Sequence, residues 1–139
     1  MTALPTCRQA VTAAQLHPQR GSAVVDFVLV GGLLTMLFVS LLQVALVLHV
    51  RNILIDCATE GARYGALADR DADSGADRTR ELIAADLSVR YAQAVTSGVI
   101  DQGGVPVLEV RVTAPLPVAG LVGIGRVLTV SGHSVLEGG

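Results

Sequence analysis

From Phe27 to Val50 the chain runs 24 residues without an Asp, Glu, Lys or Arg. As α-helix such a run rises about 36 Å, and the hydrocarbon core of a bilayer is about 30 Å thick. The pattern therefore predicts a membrane-spanning helix with length to spare for tilt. Neither a Pro nor a Gly-rich break follows Val50, so the helix is predicted to continue to Ala68, with small residues recurring at Ala58, Gly61, Ala62 and Gly65. The segment Asp69–Asp77 is charged and contains Gly75, which marks a loop; Ser74 with Asp77 three residues on has the spacing of a capping box. A second helix is predicted from Ala76 to Val95, because Ile83, Leu87, Tyr91 and Val95 recur every four residues as one apolar stripe. Asp86 and Arg90 have the spacing of an exposed pair on that helix, and Thr96-Ser97-Gly98 closes it.

Past that point the period changes. Over residues 105 to 114, Leu108, Val110 and Val112 alternate with Glu109, Arg111 and Thr113, the signature of a half-buried strand. A second strand is predicted from Arg126 to Leu136, and Val99-Ile100 adds a short third through a tight turn at Asp101–Gly104. The apolar, Gly- and Pro-rich stretch from Pro115 to Gly125 is either an exposed contact patch or a second layer folded over the sheet. A sheet of two or three strands needs a helix against it. The predicted fold is thus α+β: one long N-terminal helix, then a small head of one further helix and a two- to three-stranded antiparallel sheet, arranged as a lollipop. Four segments are predicted: 1–21, the transmembrane helix 22–50, its continuation 51–68, and the head 69–139.

Composition narrows the chemistry. Hydrophobic residues make up 51% of the chain, yet there are two Phe, two Tyr and no Trp, so any core is built from Val, Leu and Ala. A formal charge of −2 with scattered Arg lacks the clustered basic face of a nucleic-acid binder. Cys7 and Cys57 flank the apolar run and cannot meet if it spans; Cys57, among Ile55, Ala58 and Gly61, is predicted to be a small buried residue. Asp69, Asp71 and Asp73 alternate as calcium ligands do, but Ser74 and Arg80 occupy the places where an EF-hand needs Gly and Glu, so a solvated loop is expected. His17, His49 and His133 are dispersed, His49 at the expected membrane boundary. No catalytic triad, phosphate loop, dinucleotide fingerprint or metal spacing is present. The expectation is a protein that is not an enzyme and takes no cofactor or metal.

The front of the apolar run carries the functional signal. A secretory signal peptide has an apolar core of about 7–15 residues and a small-x-small exit, and Leu46–Arg51 offers no such exit. A plain anchor accounts for the length but not for Gly21 or Asp26. A carboxylate at the edge of a spanning helix is costly and ordinarily has a partner or a task; hydration at headgroup level is the alternative. The stretch Arg20-Gly21-Ser22-Ala23-Val24-Val25-Asp26-Phe27 resembles the cleavage site of type IV prepilins and pseudopilins. In that class a cytoplasmic leader ends in Gly, a membrane aspartyl peptidase cuts after it, and an acid occupies the fifth position of the mature chain. The resemblance implies a cut between Gly21 and Ser22 with Asp26 fifth, where Glu is usual. The α-amine released at Ser22 is then available to the Asp26 of a neighbouring subunit, an attraction strengthened by low dielectric. The helix dipole also favours an acid in the first turn.

The block Ala58-Thr59-Glu60-Gly61-Ala62-Arg63-Tyr64-Gly65 is similar to the A-x-E-G-A-R-x-A segment of TadE-like proteins, which accompany tight-adherence (Flp-type) pilus systems. Both blocks lie about one long helix apart, as in that family. Gly61 and Gly65 form a small-xxx-small pair that admits another backbone, so Asp26, Gly61 and Gly65 are the candidate assembly residues. The resemblance implies a minor pseudopilin of the inner membrane, N-terminus cytoplasmic and head outside. Its implied partners are a prepilin peptidase, other pilins or pseudopilins and the Tad platform proteins of a pilus or related secretion apparatus. The bases flanking the run on both sides leave orientation undecided by charge. The rival expectation is an unprocessed single-pass membrane protein whose head binds an envelope partner; a third is a small ligand-binding or enzymatic domain.

Overall fold

The computed structural model describes residues 19–116 and 127–136. Its elements follow the order α1 (Gln19–Gly65), α2 (Ala72–Asp86), a 3₁₀ turn (Val89–Tyr91), β1 (Ala94–Gln102), β2 (Val105–Pro115) and β3 (Val127–Val135). The fold class is α+β, as predicted. Contacts divide the chain into two units, one ending at Leu37 and the other beginning at Phe38, so the division falls within α1.

In the first unit the described residues are the opening turns of α1, and from Gly21 to Leu37 they are exposed except for the half-buried Gly31. The second unit holds the rest of α1 and all other elements. From Val50 onward α1 acquires a buried face of Val50, Leu54, Cys57, Ala58, Ala62 and Ala66. These positions recur at the 3.6-residue period of a helix with one face against a core. The sheet is a simple antiparallel meander in the order β1-β2-β3. The predicted alternation in β2 holds: Leu108, Val110, Val112 and Ala114 are fully buried, whereas Arg111 is exposed and Glu109 and Thr113 are half-buried. Both helices cover the same face of the sheet. On the α1 side, Gly132 of β3 sits against the backbone of Ala58 and Thr59, and Leu108 of β2 reaches Gly65. On the α2 side, Arg80 donates to the carbonyl of Val95 in β1 at 2.7 Å. Leu54, Ile83, Leu108, Val110 and Val112 are the largest fully buried apolar side chains, so the core lies between this helix pair and the sheet.

Four local expectations are corrected. The second helix spans Ala72–Asp86, not Ala76 to Val95: Leu87 leaves helical geometry, Tyr91 falls in the 3₁₀ turn and Val95 in β1. Asp86 and Arg90 therefore do not share a helix face. Thr96-Ser97-Gly98 lies inside β1, which at nine residues is a full strand rather than the short one expected around Val99-Ile100. The N-cap is Asp71, whose Oδ1 accepts from the Ser74 backbone N–H at 2.8 Å, so the cap lies three residues before the expected Ser74. Finally, α1 ends at Gly65 instead of Ala68. The tight turn is present where expected: Gly103 (φ 68°) and Gly104 (φ 89°) occupy the positive-φ positions of a two-residue hairpin. Asp101 Oδ1 accepts from the Gly104 N–H at 2.8 Å. Most of the leader, with Cys7 and His17, and most of the Pro115–Gly125 stretch lie outside the described residues.

Candidate cleavage junction and assembly helix

Helix α1 passes through the candidate junction without a break. It starts at Gln19, so Gly21 and Ser22 are both helical and Asp26 lies about two turns in. The expected first-turn position of Asp26 is therefore a property of a chain beginning at Ser22; in the uncut chain the first turn of α1 holds no acid. Gly21, Ser22 and Asp26 are exposed.

The described helical glycines separate into two kinds. A Cβ placed on Gly21, Gly31 or Gly32 meets nothing within 4 Å. Gly in a helix costs about 0.8–1 kcal/mol relative to Ala, and no packing within the described chain accounts for these three. Gly61 and Gly65 differ. A Cβ on Gly61 would collide with the Thr79 side chain and come within 2.6 Å of the Gly75 carbonyl; one on Gly65 would lie 2.7 Å from a Leu108 methyl and 2.8 Å from the Asp71 carbonyl. A Cβ on Gly75 would in turn meet the Gly61 carbonyl at 2.8 Å. The close approach that Gly61 and Gly65 permit is that of α2 in the same chain. Gly75 and Thr79, which complete this crossing, form their own small-xxx-small pair on α2, a spacing legible in the sequence. The Thr79 hydroxyl, fully buried, is satisfied by donating to the Gly75 carbonyl at 2.9 Å.

Between Val24 and Leu48 the helix exposes seventeen large apolar side chains, Phe27 at 79% and Met36 at 71% among them. Leaving such a surface in water costs on the order of 15–25 kcal/mol at half exposure. A small domain is stable by only about 5–15 kcal/mol. The surface therefore requires an apolar surrounding, and among the described residues α1 is the one helix long and apolar enough to cross a membrane. The single hydroxyl of Thr35 is satisfied within the helix by the Gly31 carbonyl at 2.8 Å. His49, at the end of the uncharged run, is exposed.

Three titratable groups of the head have shifted affinities for protons, each from local packing or hydrogen bonding. Cys57 is buried as expected; burial pushes its thiol up to about 11, aided by the negative charges of Asp86 and Asp56, with Asp86 Oδ2 3.9 Å from Sγ. Hydrogen bonding from Ser74 holds the Asp71 carboxyl below the usual range. Glu109 is held low first by its 2.8 Å bond from Arg111, then by the charges of Arg111 and His133, while burial opposes. His133 lies 3.7 Å from Glu109 on the outer face of the sheet. Among the described residues no three His, Cys, Asp or Glu side chains group as a metal site would.

A continuous apolar helix long and apolar enough to cross a membrane, with an exposed acid near its start, precedes a small α+β domain. Residues 21–63 match the family model of TadE-like protein, which begins at the candidate junction and ends inside the Ala58–Gly65 block. This agrees, over that segment, with the resemblance read from the residues. No curated protein and no solved structure matches the chain.

Proposed function

We propose that this protein is a TadE-like pseudopilin. It is cut after Gly21 by a prepilin peptidase and retained in the inner membrane by α1, with the head outside the cytoplasm. There it takes part in assembling a Tad/Flp-type pilus or a related secretion apparatus, with other pilins or pseudopilins and the platform proteins as partners. Its work is subunit association rather than catalysis. The observation that carries this reading is the family match over residues 21–63, whose first residue is Gly21. In the cut chain Ser22 bears a cationic amine and Asp26 stands in the helix's opening turns, so one subunit's amine has a carboxylate to meet on the next. The Asp side chain is shorter than the usual Glu, which demands a closer approach.

The test is Gly21→Ala. Nothing lies within 4 Å of the position a Cβ would take, so the substitution leaves the described fold intact and a change in processing reports recognition at the junction. Co-expressed with the peptidase, the parent chain is expected to lose residues 1–21 while the variant keeps them. Equal processing of both would refute the assignment of Gly21. The uninterrupted helix through Gly21 and Ser22 favours a second reading, an anchored envelope protein that is never cut, because peptidases generally act on extended backbone. That reading predicts an intact leader in both proteins.

A further inference from the structure

The strands and the part of α1 beyond Phe38 run past one another in a fixed register, and this sets the level of the sheet relative to Val50, where the uncharged run ends. Gly132, paired with Val110, touches the backbone at Ala58 and Thr59; Leu108 touches Gly65. Each step toward the C-terminal end of β2 therefore descends toward the N-terminal end of α1. From Val110 to Ala114 the strand advances about 13 Å, equivalent to about nine residues of helix. The lower end of the sheet thus reaches about the level of Val50. Gln43 and Val47 agree, since they lie on the helix face that buries Val50 and are half-buried where their neighbours are exposed. The uncharged run ends at Val50, so the lower rim of the head lies level with the end of that run.

The residues at that rim suit this position. The 3₁₀ turn enters β1 at Ala94, opposite Thr113, and β3 begins at Val127, opposite Pro115. Val89 is 69% exposed and Val127 63%, with Pro115 also exposed. Tyr91 is half-buried, and the Arg90 guanidinium lies over its ring at 5.4 Å. Arg51 is exposed on α1 one residue beyond the uncharged run. Apolar tips, a tyrosine ring and flanking arginines are the side chains that settle at the lipid headgroup level, and long basic side chains extend from there toward phosphate.

We propose that this rim is a lipid-contacting surface: Val89 and Val127 insert at the bilayer interface, and Arg51 and Arg90 meet anionic headgroups, so the head is seated on the membrane rather than held clear of it. The occupant is the bilayer surface because the rim is continuous with the span. The proposal rests on reading α1 as membrane-spanning.

The experiment uses the full chain with Cys7→Ser, reconstituted in vesicles of phosphatidylethanolamine and phosphatidylglycerol. Cys57 stays buried and unlabelled in the native chain, so Val89→Cys, Val127→Cys, Val99→Cys and Leu37→Cys, one per chain, each offer one exposed thiol to an environment-sensitive fluorophore, which is then quenched by brominated lipid. Each site is exposed, Val99 at 58% and Leu37 at 55%, so the labels do not disturb the core. Leu37 reports the span, and Val99, in the half of β1 nearer the hairpin, is the reference above the rim. Val89 and Val127 are expected to be quenched at least twofold more than Val99, and an Arg51→Gln/Arg90→Gln pair to lose part of that excess. Quenching at Leu37 with Val89 and Val127 no more quenched than Val99 overturns the rim contact alone. No quenching at Leu37 overturns the membrane reading and this proposal with it.

Discussion

Replacing Gly61 by Ala inserts one methyl group at the tightest point between α1 and α2. The new Cβ would lie 2.6 Å from the Gly75 carbonyl oxygen and against the Thr79 side chain, where ordinary contact begins at 3.4 Å. The carbonyl belongs to backbone and cannot turn aside, so α2 must retreat by about 0.8 Å, the difference between those two distances. That retreat loosens the neighbouring Gly65–Gly75 contact as well. Overpacking of this kind costs about 1–3 kcal/mol, against a helix-propensity gain of about 0.8–1 kcal/mol. Because backbone meets backbone and two contacts suffer together, the upper part of the range applies, leaving a net loss of about 1–2 kcal/mol. For a domain of this size that lowers the unfolding midpoint by roughly 4–15 °C. The spanning part of α1 stays helical in detergent, so far-UV ellipticity is a poor probe of the head. Exposure of the Cys57 thiol during a thermal ramp, in a Cys7→Ser background, reads the head directly. Gly98→Ala is the control, since nothing lies within 4 Å of that position, and its midpoint is expected to stay with the parent. A Gly61→Ala midpoint equal to or above the parent's would refute the view that Gly61 exists to admit α2.

Three further outcomes follow from the same geometry. With its thiol pushed up to about 11, Cys57 should react with iodoacetamide at pH 8 at least roughly a hundredfold more slowly in the native protein than in denaturant, since only thiolate reacts; equal rates would contradict its burial. Asp71 titrates lower in the folded chain than in the unfolded one, so its contribution is complete above the ordinary carboxylate range and is lost as pH falls through the folded value. The unfolding midpoint should therefore decline on acidification more steeply in the parent than in Asp71→Asn, and parallel declines would count against the cap. Gly104→Ala forces a side chain to φ near 89° and should cost about 1 kcal/mol, seen as a lower midpoint; an unchanged one would argue against the hairpin geometry.

The long helix was plain in the sequence because charge is excluded from Phe27 to Val50, and nothing but burial or lipid tolerates such a run. The alternation of β2 was plain for the same kind of reason: one face wet, one face dry. The stripe Ile83, Leu87, Tyr91, Val95 misled because a spacing of four fits the helical period and is also a multiple of the strand period. Helix ended at Asp86 and extended chain began at Ala94 without the stripe betraying the change. The cap was displaced because Asp71 and Ser74 each stand three residues before a polar partner, and only the fold selects the frame. For Gly61 and Gly65 the sequence shows that a backbone comes close, but not whose; in the fold it is α2, through Gly75 and Thr79. A Cβ on Gly21, Gly31 or Gly32 meets nothing within 4 Å, so no contact among the described residues requires glycine at those three positions.

The central claim is that residues 22 onward form a retained assembly helix released from its leader after Gly21. The most direct measurement is the intact mass and N-terminal sequence of the protein recovered from native membranes. The account predicts a chain beginning at Ser22 with α1 otherwise complete. Recovery of a membrane-bound chain that still carries residues 1–20 would contradict it.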